Sequence, residues 1–207
     1  MIVTKIEAVA KNKYKVYLDE RFAFVLYKGE LRLYKIKENQ PMEEKDYTAI
    51  VKEVLPKRAK LRCMNLLKSR AYTEKQLCEK LRQGEYSEEI IEEAVAYVKS
   101  FGYINDRQYA EDFISYNLER KSRRRMEQDL LAKGVDSGIV REIFERLRED
   151  NEEMDEYAMA KELLRKKNYD PEIATNKEKQ KMSAFLYRKG FNMDTIRRAL
   201  LLDITTI

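Results

Sequence analysis

The strongest constraint in this 207-residue chain is a block of apolar positions that occurs three times. Leu77, Leu81, Tyr86, Ile90, Ile91, Ala94, Val95 and Val98 are matched, 49 residues on, by Met126, Leu130, Val135, Ile139, Val140, Ile143, Phe144 and Leu147. A further step of 56 residues carries most of the set to Met182, Leu186, Phe191, Thr195, Ile196, Ala199 and Leu200, with Thr195 and Asp203 as the departures. Spacings of three and four residues mark one face of a helix. A repeat of this length is one supersecondary unit that completes its core only against neighbours or a partner.

The punctuation repeats as well. Gln83-Gly84-Glu85-Tyr86, Lys133-Gly134-Val135 and Lys189-Gly190-Phe191 each put Gly just after an apolar helix, where positive φ carries no Cβ clash. In the first turn Gly comes one position early, so its geometry should differ. Ser87, Asp136 and Asn192 then stand as amino-terminal caps, and Thr73 with Gln76 fits a capping box. Each unit has a preceding helix, at 57–70, 106–119 and 152–168. In the third unit Tyr169-Asp170-Pro171-Glu172 reads as a cap followed by a proline at the first helical position, an insertion that explains the larger step. Of the joints between units, Phe101–Asp106 supplies a glycine stop and apolar plugs, whereas Arg148–Asn151 is wholly polar.

Ahead of the repeats the period is two. Tyr14, Val16 and Leu18 alternate with Lys15, Tyr17 and Asp19, and Phe22, Phe24 and Leu26 continue beyond a hairpin turn at Asp19-Glu20-Arg21. Lys28-Gly29-Glu30 reads as a second turn, with Leu31, Leu33 and Ile36 partly keeping the alternation. The expected element is a small antiparallel meander with an edge that needs covering. From Glu43 the period becomes helical, and Pro56 either opens the next helix or kinks a longer one. The expected fold is mainly α: three tandem three-helix, helix-turn-helix-like repeats in an elongated arrangement, preceded by a small antiparallel β segment. The boundaries are 1–42 for the meander, 43–56 for a connecting helix, and 57–104, 105–150 and 151–207 for the three repeats.

Composition removes whole classes of chemistry. There is no His, so imidazole metal sites and Ser/His or Cys/His relays are excluded. Cys63 and Cys78 form no CxxC pair and suit buried apolar positions. Glu88, Glu89, Glu92 and Glu93 read as a helix amino-terminal charge run rather than as acid/base machinery. With no convergent nucleophile, base and electrophile, the chain is not read as an enzyme, and no cofactor is expected. No apolar run is long enough for a membrane span and no signal-peptide pattern opens the chain, so a cytoplasmic monomer is expected.

Charge carries the functional reading. Arg120, Lys121, Arg123, Arg124 and Arg125 crowd around Ser122 where the second unit's middle helix should begin, and such a cluster opposes the helix dipole. The first-turn amides and the Ser122 hydroxyl would then receive a phosphate that the arginines neutralise. The plainer alternative is that Arg123 with Glu127, and Arg125 with Asp129, form i,i+4 pairs on a solvated face. Arg165, Lys166 and Lys167, then Lys177, Lys179 and Lys181, then Arg188 and Lys189, then Arg197 and Arg198 make a second basic set, against which stand Glu162, Glu172, Glu178 and Asp194. Residues 106–150 hold ten cations and eleven carboxylates, so any nucleic-acid footprint must be a stripe. Most aromatics sit on apolar stripes as core, while Tyr72, Tyr97, Tyr116 and Tyr187 lie off them and are candidates for stacking or protein contact. No short helix presents a compact set for reading base edges, so a helix-turn-helix transcriptional regulator ranks as the alternative to nonspecific binding.

These segments together carry a family resemblance. Arg70-Ala71-Tyr72-Thr73-Glu74-Lys75-Gln76-Leu77, Phe101-Gly102-Tyr103-Ile104-Asn105-Asp106-Arg107-Gln108-Tyr109-Ala110 and Arg188-Lys189-Gly190-Phe191 resemble the RecX family of bacterial recombinase regulators across nearly the whole chain. Ser122-Arg123-Arg124-Arg125 and Ile196-Arg197-Arg198-Ala199-Leu200 add to the likeness, and the amino-terminal strands look like the extension of longer family members. The resemblance implies a protein that binds the RecA recombinase filament on DNA, lies along its helical groove, and suppresses filament growth and strand exchange without catalysis. Expected partners are therefore a RecA-type filament and single-stranded or duplex DNA through phosphate contacts. Residues matching the family's basic surface are Arg120, Lys121, Arg123, Arg124 and Arg125, with Arg188 and Lys189 at the third unit's turn.

Overall fold

The computed structural model describes residues 1–149 and 154–201. The chain divides into two compact units, Met1–Asn105 and Asp106–Ile207. The expected boundary at 150/151, the polar joint residues Asp150 and Asn151, and the departure at Asp203 lie outside the described residues.

In the first unit, β1 (Ile2–Ala10), β2 (Lys13–Leu18), β3 (Arg21–Tyr27) and β4 (Gln40–Pro41) form an antiparallel sheet in the order β3-β2-β1-β4. The β2–β3 turn needs positive φ at both central residues, and Asp19 (46°) and Glu20 (67°) supply it without glycine. Local bonds hold it: Ile2 N–H donates to Asp19 Oδ1 (2.8 Å) and Glu20 N–H donates to Thr4 Oγ1 (3.0 Å). The β1 edge is covered by the short β4 and by Glu38, whose Oε1 accepts the Ile6 N–H (2.6 Å).

The structure departs from the sequence reading after β3. Lys28–Leu33 is a short helix, α1, and neither a turn nor a strand. Glu30 explains the change, since its carboxylate reaches back to accept the Tyr27 N–H (2.6 Å) and is paired with Arg58 (2.8 Å).

Val3, Val16, Leu18, Phe24 and Leu26 bury one sheet face in the same core as Ile50, Leu55, Ala59 and Cys63. The helical residues belong to α2 (Glu44–Ala49), a π-helical segment (Ile50–Val54) and α3 (Leu55–Ser69), which follow one another without a break. Pro56 has no N–H and its ring crowds the preceding turn. The π segment before it takes up the extra residue, so the helix runs through the proline.

The first three-helix repeat comprises α3, α4 (Glu74–Arg82) and α5 (Glu88–Ser100). At the start of α4, Thr73 Oγ1 accepts the Gln76 N–H (3.2 Å) while Gln76 Oε1 accepts the Thr73 N–H (3.3 Å), the reciprocal box its spacing promised. In the second unit, α6 (Asp106–Asn117), α7 (Arg123–Ala132) and α8 (Ser137–Glu149) precede α9 (Glu156–Arg165), α10 (Asn176–Arg188) and α11 (Met193–Leu200).

The matched apolar positions form the cores. Among the described ones, Tyr86, Ile139, Leu147 and Met182 are half-buried and all the others are buried, Thr195 included. The left-handed turn residue also recurs at matching positions: Glu85 (63°), Gly134 (90°) and Gly190 (92°). A second departure falls in the third repeat. Pro171 lies in a turn and not in a helix, with Asp170 Oδ1 accepting the Glu172 N–H (3.0 Å). The helix begins instead at Thr175, whose hydroxyl accepts the Glu178 N–H (3.3 Å) while Glu178 Oε2 accepts the Thr175 N–H (2.9 Å).

Candidate nucleic-acid interface

The basic cluster is built on the turn between α6 and α7. Asn117 is buried, its side chain donates to the Phe113 carbonyl (2.6 Å), and its own carbonyl accepts the N–H of Arg120 (2.9 Å) and of Lys121 (3.0 Å). Ser122 is wholly buried, its Oγ accepting the Arg125 N–H (3.3 Å) and donating to the Lys189 carbonyl (3.0 Å). The Arg123 N–H is taken by Glu156 Oε1 (2.8 Å). That carboxylate, from the first turn of α9, supplies the negative charge that the amino terminus of α7 lacks in its own sequence.

This arrangement corrects one expectation. The Ser122 hydroxyl and the Arg123 amide already have partners inside the protein, so Ser122 is a capping and docking residue and not an open phosphate receptor. The basic side chains around it are differently placed. Arg123, Arg124, Arg125 and Arg120 are exposed, and Lys121 is partly so.

Both expected i,i+4 pairs are formed, Arg123 Nε with Glu127 Oε1 (2.8 Å) and Arg125 Nε with Asp129 Oδ1 (3.1 Å). Lys121 also reaches Asp129 (2.8 Å). Arg124 has no carboxylate partner among the described residues and lies over the Tyr187 ring (5.4 Å). Arg120 lies over Tyr116 (4.2 Å). Exposed ion pairs of this kind contribute only about 0–1 kcal/mol, so these arginines remain available to a competing phosphate.

The third repeat meets this cluster at its own turn. Gly190 is buried against α7, where a Cβ would collide with Ser122 Oγ and come within 3.0 Å of the Arg125 backbone nitrogen. Lys189 and Lys167 both approach the Phe185 ring, at 5.8 and 5.7 Å. The turn that carries Lys189 is thus joined to the amino terminus of α7, with Arg124 held over Tyr187 and with Lys189 and Lys167 over Phe185, two residues apart on α10. Arg188, exposed at the end of α10, adjoins Lys189.

Other members of the expected set lie apart or are engaged. Arg165 and Lys166 share Glu162, at 2.7 and 3.6 Å, and the Arg165 hydrogen bond holds that carboxyl down to about 2. Arg198 lies over Tyr157 (4.8 Å) and, with Arg123, lines a cleft of about 490 Å³ that also contains Phe144 and Glu156. Arg197 is half-buried, and its Nε has no hydrogen-bond partner among the described residues. Of the four tyrosines set aside for stacking, Tyr97, Tyr116 and Tyr187 are exposed, whereas Tyr72 is buried beneath Arg70 (4.3 Å).

Sequence reasoning missed Asn117, Phe185 and Glu156. Asn117 was visible as a polar residue at a helix end, and Phe185 as one more aromatic on a stripe. Glu156 meets Arg123 across 33 residues, and no local pattern announces such a pairing.

Three models of one family match in chain order: "RecX, first three-helix domain" over residues 59–97, "RecX, second three-helix domain" over 105–142 and "RecX, third three-helix domain" over 154–200. A relative from Caldanaerobacter subterraneus subsp. tengcongensis, "Regulatory protein RecX", is 32% identical over 202 residues, covering 97% of this chain and 98% of its own. The chain belongs to the RecX family of bacterial RecA regulators. A second RecX relative, from Clostridioides difficile, is 31% identical over 205 residues, with 96% of this chain and 94% of its own covered. Two solved RecX structures share the fold. One has a TM-score of 0.59 and 23% identity over 98% of this chain and 99% of its own. The other, from Lactobacillus salivarius, has a TM-score of 0.55 and 21% identity over 71% of this chain and 95% of its own. As a RecX-family member the chain is a non-catalytic regulator of RecA-type recombinases. No helix among the described residues is long and apolar enough to cross a membrane.

Proposed function

We propose that this chain acts as a cytoplasmic monomer that binds recombinase–DNA filaments and restrains filament growth and strand exchange. The second and third repeats present a basic face to DNA phosphates, while the repeated units make many modest contacts across adjacent recombinase subunits. Multivalency of this kind favours a filament over a single subunit without any one tight contact.

The observation that carries this reading is the joint between Ser122 and the Lys189–Gly190 turn. It joins α7, which carries Arg124 and Arg125, to the turn that carries Lys189, and this supports reading one stripe across two modules of nearly balanced charge. Contacts of long cations to phosphates carry no base information, which fits a partner defined by its polymeric form rather than by sequence.

The test is a pull-down of the full chain on recombinase filaments assembled on single-stranded DNA, with bare DNA and recombinase alone as separate arms, alongside a strand-exchange assay. Retention on filaments well above either separate component, with inhibition that follows it, is expected. Equal retention on bare DNA and on filaments would reduce the activity to nucleic-acid attraction. Protection of one defined duplex site over competitor DNA would favour a transcriptional regulator instead.

A further inference from the structure

A second basic cavity lies in the first unit, far along the chain from the cluster at Ser122. It has a volume of about 410 Å³ and opens between the β-sheet and the first repeat. Its cations come from three elements: Lys13 from β2, Arg58 and Arg62 from α3, and Lys80 from α4. Tyr27 and Tyr86 supply its aromatic lining, and no carboxylate lines it.

Arg58 organises the cavity. Its guanidinium lies between the Tyr27 ring (4.9 Å) and the Tyr86 ring (5.6 Å). Its Nη2 donates to the Val25 carbonyl (2.6 Å), its Nε to the Tyr86 hydroxyl (3.2 Å), and its Nη1 to Glu30 (2.8 Å). Arg58 is thus neutralised and fixed, and it holds the sheet to the helices. The other three cations are not neutralised: among the described residues, none of Lys13, Arg62 and Lys80 has a carboxylate partner, and Lys80 makes only a side-chain bond to Gln83 (3.1 Å). Glu85, which follows the cavity's Gly84, is held away by Lys15 (3.0 Å).

The early glycine of the first repeat belongs to this arrangement. A Cβ on Gly84 would lie 2.9 Å from the Tyr86 ring and 3.0 Å from the Leu81 carbonyl. Moving the glycine to this position lets Tyr86 lie across the turn and meet Arg58, while Glu85 takes the left-handed conformation in its place.

We propose that this cavity binds the phosphodiester backbone of single-stranded nucleic acid, with the exposed Tyr27 ring offered to a base. Three unpaired cations beside an aromatic surface are what a polynucleotide track uses. The cations are spread over three elements and surround no helix amino terminus or glycine-rich loop, so nothing gathers donors around one compact polyphosphate. The site depends only on the first unit, and bare DNA is enough to test it. Its failure would leave the recombinase reading standing, and the converse also holds.

The experiment is fluorescence anisotropy of the full chain with a labelled 20-mer of dT over a series of salt concentrations. The comparison is between wild type and the combined variant Lys13→Gln, Arg62→Gln and Lys80→Gln, with circular dichroism as the check on folding. The slope of log affinity against log salt should fall by about 2, the value for three lost contacts to a single strand. An unchanged slope in a folded variant would overturn the proposal. Loss of pyrophosphate or ATP binding with dT binding intact would also overturn it, making the cavity a small-anion site. In case the variant does not fold, photocrosslinking of bromodeoxyuridine-containing DNA to the wild type should label Tyr27. Crosslinks confined to Asp106–Ile207 would contradict the assignment.

Discussion

The Ser122 hydroxyl donates a 3.0 Å hydrogen bond to the Lys189 carbonyl, tying the amino terminus of α7 to the turn that ends α10. Gly190, the next residue, fits there for two reasons: its φ of 92° disfavours any side chain, and a Cβ would strike Ser122 itself.

Replacing Gly190 with Ala should therefore destabilise the second unit by about 1–3 kcal/mol, the cost of a strained left-handed residue together with the displaced contact. Gly102→Ala is the matched control, because Gly102 also has positive φ but no atom lies within 4 Å of its would-be Cβ. Urea unfolding should rank the Gly190 variant clearly below the Gly102 variant, and equal losses would show that the docking contact adds nothing.

Ser122→Ala should cost about 1 kcal/mol through the lost cap, with a further penalty for leaving the Lys189 carbonyl unbonded. Salt dependence of DNA binding is the more telling measurement. Its slope should stay near that of wild type, since the buried hydroxyl makes no phosphate contact, whereas a fall by a full contact would restore Ser122 as a receptor.

Leu130 and Leu131 separate core from surface within α7. Leu130 is fully buried and Leu131 is 46% exposed. Truncation of Leu130 to Ala should cost roughly 2–5 kcal/mol, and truncation of Leu131 much less. Thermal unfolding of the two variants decides it.

Glu162 gives a pH signature. Arg165, followed by Lys166, holds its carboxyl at about 2, below its ordinary value of 4.5. A depressed folded-state pKa favours the folded chain above the unfolded value, and that contribution is lost as pH falls from about 4.5 through about 2. Carboxyl NMR titration should find Glu162 ionised at pH 3 in wild type, and Arg165→Gln should move its midpoint back toward the ordinary value.

Much of this was legible in the sequence because the repeat is a burial pattern. Leu81, Leu130 and Leu186 share one register, and all three are fully buried. The Thr73–Gln76 box was legible for the same reason, since both partners lie within one turn. The errors arose where a distant partner overrode local preference. Lys28–Leu33 is helical because Glu30 meets both Tyr27 and Arg58, and the Ser122 hydroxyl is taken up by the Lys189 carbonyl, 67 residues away in sequence. At the basic cluster the cations themselves were plain to read. Which of them Asp129, Glu127 and Glu162 would engage, and that Glu156 would cap α7, depended on tertiary geometry.

The central claim is that the α7 cations act on the recombinase–DNA filament. The direct measurement is inhibition of strand exchange over a concentration series by the combined variant Arg123→Ala, Arg124→Ala and Arg125→Ala, with helical content checked by circular dichroism. Three exposed charge contacts at about 0.5 kcal/mol each correspond to about a tenfold rise in the concentration needed for half inhibition. That shift with intact folding is the expected result, and an inhibition curve superimposable on wild type would contradict the claim.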